Sequence, residues 1–138
     1  MNSNSTNSTN STNKLLYPEL SYKIVGLLFN IHNNLGRFRN EKQYSDAIEQ
    51  ELKILGISYK REFRLPESFE GENSSRNIID FVIDDKIILE IKTKRAIYKD
   101  DYFQIKRYLM SSDYRLGLLV NFRSRYLSPK RILSGNYL

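Results

Sequence analysis

Three charged residues, Asp80, Glu90 and Lys92, stand in runs otherwise apolar enough to be central strands of a sheet. Alternation along residues 86–92 puts Ile88, Glu90 and Lys92 on one face and Ile87, Leu89 and Ile91 on the other. Residues 77–83 are apolar apart from Asp80 at their middle, and Asp84-Asp85 between the two runs has the composition of a tight hairpin turn. Such a hairpin lays Asp80 beside Glu90. Two carboxylates held that close repel and need a counter-charge. A hard divalent cation such as Mg²⁺, which takes oxygen ligands in octahedral geometry, would supply it and make the cluster a reaction centre. Alternatively, Lys92 alone neutralises a carboxylate at the sheet end and the cluster is structural. These three residues leave both readings open.

The rest of the chain must position that cluster. Leu20, Ile24, Leu27, Leu28 and Ile31 recur at three- and four-residue steps, and Pro18 suits a first turn, so the spacing predicts a helix over 17–35 that stops near Gly36. A second helix is expected over 40–55, with Tyr44, Ala47, Ile48, Glu51, Leu52 and Leu55 along one side and Gly56 as terminator. The period then shortens, giving strands at 59–65, 77–83 and 86–92. Helical spacing returns over 100–110 through Tyr102, Ile105 and Leu109, with Asp100 or Asp101 as cap, and 116–122 reads as a buried strand. The order is α-α-β-β-β-α-β, followed by a basic ending.

Composition narrows the chemistry. Of 138 residues, 1–13 are a run of Asn, Ser and Thr after Met1, expected to be a disordered tail, which leaves 14–138 for one domain. There is no Cys and one His, so disulfides and Cys/His zinc sites are excluded and an intracellular, cytoplasmic life is expected. His32 has no second ligand of its kind and reads as structural or surface, and Tyr44 reads as packing. No apolar stretch approaches the roughly 18 residues of a membrane span. Residues 1–98 carry 14 basic and 13 acidic side chains, whereas 99–138 carry 8 and 3. A basic last third suits an anionic partner, nucleic acid first, through Arg123, Arg125, Lys130 and Arg131.

Asp80 followed by Glu90-Ile91-Lys92 resembles the signature of the PD-(D/E)xK nuclease superfamily, whose helix, three-stranded meander, helix and strand match the order above. From Leu20 to Phe122 the chain further resembles the GxxExxY family of that superfamily. The resemblance is carried by Leu35-Gly36, Glu41-Lys42-Gln43-Tyr44, Gly56-Ile57, Asp80-Phe81, Leu89-Glu90-Ile91-Lys92, Gln104 with Tyr108-Leu109, and Leu116-Gly117-Leu118-Leu119-Val120-Asn121-Phe122. Two positions depart from the pattern: Phe38 stands where the family's naming glycine falls, and Ile79 replaces the proline that often precedes the aspartate.

The resemblance implies an α/β, restriction-endonuclease-like core, a central mixed four-stranded sheet flanked by helices. It also implies roles. Asp80, Glu90 and the carbonyl of Ile91 would hold Mg²⁺ or Mn²⁺, with Glu41 as an additional or water-mediated ligand. Lys92 would orient or help deprotonate the attacking water, and Gln104 with Tyr108 would form the Gln-x-x-x-Tyr pair that supports the site in RecB-type nucleases. The implied activity is metal-dependent hydrolysis of phosphodiester bonds, in DNA by family analogy, with a two-fold homodimer as the simplest way to make paired cuts. Two alternatives compete: a catalytically silent nucleic-acid-binding module of the same fold, and a basic structural subunit of a larger complex.

Overall fold

The first two helices follow directly from their end residues. In the computed structural model, which describes residues 16–135, α1 (Pro18–Leu35) opens on Pro18 and ends at Gly36, whose φ of 78° lets its N–H turn back to His32 O. α2 (Glu41–Leu55) begins with a capping box in which Asn40 and Gln43 each bond the other's backbone N–H. The expected tail at 1–13 lies outside the described residues.

Five strands follow, interrupted by one long helix: β1 (Tyr59–Arg64), β2 (Ile78–Ile83), β3 (Ile87–Lys92), α3 (Lys99–Met110), β4 (Leu116–Asn121) and β5 (Lys130–Leu133). They form one sheet in the order β1-β2-β3-β4-β5. All neighbours are antiparallel except β3 and β4, which α3 connects and which run parallel. The Asp84-Asp85 turn forms as expected, with both residues at positive φ, the backbone of a type I′ hairpin.

The sheet is mixed, as expected, but has five strands rather than four. Its extra member, β5, falls in the stretch read as a basic ending. It is four residues long, begins with Lys130-Arg131 and buries only Ile132 and Leu133, so it presents no alternating run.

Helices cover both faces. α1 and α2 pack on Phe81, Ile83, Ile87, Leu89 and Ile91 with the matching residues of β4. α3 packs the other face through Ile105, Tyr108 and Leu109 against Val82, Ile88 and Leu119. Its approach to β4 is close: a Cβ on Gly117 would lie 2.6 Å from Ile105 Cγ2. Since β3 points Ile88, Glu90 and Lys92 to one side, the two charged residues lie beneath the same helix that carries Gln104 and Tyr108.

Candidate active site

Asp80 and Glu90 meet across the central hairpin. The β2–β3 register pairs Ile83 with Ile87, Val82 with Ile88 and Phe81 with Leu89, and its next step sets Asp80 opposite Glu90. Each carboxylate takes a backbone N–H from the other's strand: Ile91 donates to Asp80 Oδ2 at 2.8 Å and Asp80 donates to Glu90 Oε1 at 3.4 Å. Glu90 is 4% exposed. Burial pushes its carboxyl well above the ordinary glutamate range, the charge and hydrogen bonding of Asp80 push it further, and Lys92 opposes. A shared proton or a bound cation would relieve an acid pair so placed.

Lys92 closes β3 on the same face. Its Nζ donates to Gln104 Oε1 at 2.8 Å and stands 3.9 Å from Asp101 Oδ1. Tyr108, one turn beyond Gln104, donates its hydroxyl to Ile78 O at 3.1 Å. Burial, and then the charges of Glu90 and Asp80, push that phenol up to about 12. The Gln104 and Tyr108 pair thus spans from the lysine to the start of the aspartate's strand.

Glu41, first residue of α2, faces the cluster from the opposite helix. Burial and then Asp80 raise its carboxyl, while Lys92, the Thr93 N–H and Lys94 pull it down. It lines a groove with Lys42, Ser45, Arg61, Glu62 and Asp80. Among the described residues no three His, Cys, Asp or Glu side chains cluster tightly enough to hold an ion between them. Glu41 therefore stands beside the carboxylate pair without closing a cage. Two carboxylates suit Mg²⁺ or Mn²⁺, because small hard cations keep several waters and share their sphere with phosphate oxygens.

Sequence reasoning missed the residues that hold the lysines. Asp101, read with Asp100 only as a helix cap, is instead the third residue of α3, whose cap position is Tyr98; it accepts from Tyr98 N at 2.8 Å, and both its oxygens also take Lys94 Nζ at 3.0 Å. Asn121 grips the backbone of Lys94 at both ends, accepting its N–H at 3.1 Å and donating to its carbonyl at 2.7 Å. The β1–β2 register sets Glu62 opposite Asp80, and Glu62 has a φ of 52°. The only signals for these were Lys94, two residues beyond Lys92, and the three-residue step from Asp101 to Gln104.

The basic residues divide by environment. Arg123 donates Nε to Arg37 O at 3.0 Å, on the segment just past β4. Exposed Arg125 lies over the exposed ring of Tyr126, 5.5 Å from its centre. Lys130, bonded to Ser128 Oγ, sits opposite Leu119, which in turn pairs with Glu90, so roughly 10 Å of sheet separates Lys130 from the carboxylate. Arg131 points into the fold, donating to Ser21 Oγ at 2.8 Å and Leu16 O at 3.1 Å. His32 and Tyr44 serve the scaffold: His32 Nε2 bonds Ser124 O, and Tyr44 stacks on Phe122 with ring centres 4.1 Å apart.

A family model described as the PD-(D/E)XK nuclease superfamily matches residues 18–132. No curated protein and no solved structure matches the chain.

Proposed function

Because this chain belongs to the PD-(D/E)XK nuclease superfamily, we propose that it hydrolyses phosphodiester bonds of DNA with Mg²⁺ or Mn²⁺, in the manner of the GxxExxY group that its motifs resemble. The reading is carried by half-buried Asp80 and buried Glu90, each latched to the other's strand, with Lys92 held alongside by Gln104.

Asp80, Glu90 and the Ile91 carbonyl would hold the metal ion, and Glu41 would reach it through water. The ion supplies charge stabilisation for the developing phosphorane and an acidified water when bound. Lys92 Nζ, already fixed by Gln104, orients the attacking water and offsets negative charge on the phosphoryl oxygens. Tyr108 stays protonated at neutral pH, since its pKa is pushed up to about 12, so its hydroxyl keeps donating to Ile78 O and holds α3 over the site.

Circular single-stranded and double-stranded DNA incubated with the full chain tests this directly. Cleavage should need Mg²⁺ or Mn²⁺, vanish in chelator and fail to return with Ca²⁺; linear products would make the enzyme an endonuclease. Binding without cutting under every metal condition would instead favour the silent module.

A further inference from the structure

Phe38 is 73% exposed at the turn between α1 and α2, an unfavourable place for a phenyl ring. Two guanidiniums lie over its ring: Arg37 Cζ is 4.8 Å from the ring centre and Arg123 Cζ 5.6 Å. Two like charges sharing one ring repel unless an anion joins them. Among the described residues neither arginine forms an ion pair with a carboxylate.

The turn is held in shape from three sides. Tyr44 donates its hydroxyl to Gly36 O, Arg39 N donates to that hydroxyl at 3.2 Å, and Arg123 Nε donates to Arg37 O at 3.0 Å. This frame is continuous with the candidate site. Phe122, beside Arg123, donates its N–H to Lys92 O at 2.9 Å, and Arg123 N donates to Asn121 Oδ1 at 3.2 Å. Phe38 precedes Glu41 by three residues, so their Cα atoms lie within about 11 Å of each other.

We infer that Phe38, Arg37 and Arg123 form a stacking platform for an unpaired nucleobase of single-stranded DNA, the base taking the ring face as a guanidinium swings from it to the flanking phosphates. An exposed aromatic within a positively charged frame is how proteins grip single strands, because every base offers a π-face and the backbone offers the anions. Paired bases are already stacked on each other and cannot use the ring. The platform deepens the nuclease reading and rests on it for the identity of the polymer, by adding a preference for unpaired substrate beside the site.

The chain has no Trp, so Phe38→Trp places a single indole reporter on the platform. Titration in chelator with an oligothymidine, and separately with a duplex of equal length, reads binding apart from cleavage. Phe38→Ala and Phe38→Leu should each weaken oligothymidine binding roughly 5- to 150-fold, the loss expected for one stacked base, and leave duplex binding within about twofold. Phe38→Trp should keep the affinity, with its fluorescence quenched by the oligothymidine and not by the duplex. Equal losses on both polymers, or an unquenched indole at saturation, would overturn the platform. Cleavage that persists alongside that result leaves the nuclease reading standing, whereas quenching by oligothymidine without cleavage under any metal supports the platform and rejects the nuclease.

Discussion

Lys92 is the residue whose removal separates binding from chemistry. Its ammonium opposes the raised pKa of both Glu90 and Glu41, and Gln104 holds it in place. Lys92→Ala removes the group proposed to orient water and to offset phosphoryl charge, so cleavage should fall by about 10² to 10⁴. DNA affinity should largely remain, with a steep dependence on salt, because Lys92 is proposed to meet only the scissile phosphate and the other proposed phosphate contacts belong to the basic residues past β4. Parallel cleavage assays and binding titrations across salt check this; an equal loss of both would make Lys92 a binding residue. The lysine was legible in the sequence because strand alternation alone places it on the face of Glu90. Its partner Asp101 was not, since that contact depends on how the first turn of α3 packs onto the strand ends.

Two predictions belong to elements. At the first turn of α3, burial alone would raise Asp101, but the Tyr98 N–H and Lys94 outweigh it and hold the carboxyl below its ordinary value of 3.8. A depressed pKa stabilises the fold above that ordinary value and loses the effect as pH falls through the lower, folded one. Thermal melts below pH 5 should therefore show an acid limb that Asp101→Asn flattens; an unchanged limb would mean Asp101 contributes nothing to acid stability. Where α3 crosses β4, an added Cβ on Gly117 would come 2.6 Å from Ile105 Cγ2, a buried, stiff, branched side chain. Gly117→Ala should lower stability by about 1 to 3 kcal/mol and reduce kcat by loosening Gln104 on Lys92, both readable by denaturant melts and turnover. The helices and the first four strands were legible from period and end residues. β5 was not, because Lys130-Arg131-Ile132-Leu133 carries too few apolar residues to show a period and is recognisable as a strand only once β4 offers it a free edge.

Across the whole molecule, the basic bias of residues 99–138 divides into a proposed contact surface and scaffold. Arg123→Glu, Arg125→Glu and Lys130→Glu should each weaken DNA binding similarly across sequences. Arg131→Glu should first destabilise the fold, by about 1 to 3 kcal/mol, since its guanidinium bonds Ser21 and Leu16 on the α1 side. Affinity unchanged by the first three would reduce the basic ending to a solvated surface. Charge counts revealed the bias but could not show which guanidiniums turn inward.

The acids on β2 and β3 are proposed to be held together for a metal ion and not for the fold. Melts of wild type and Asp80→Asn, in chelator and in Mg²⁺, test it most directly. The variant keeps an oxygen to accept the Ile91 N–H while removing one charge beside buried Glu90. Metal-free stability should equal wild type or exceed it by about 0.5 to 2 kcal/mol, as when a strained functional site is relieved. Mg²⁺ at tenfold its dissociation constant should raise wild type by about 1.4 kcal/mol and the variant by far less. A metal-free loss of about 1.5 to 3 kcal/mol in Asp80→Asn, the cost of a structural charge-assisted hydrogen bond from the Ile91 N–H, together with the same Mg²⁺ response in both proteins, would overturn this.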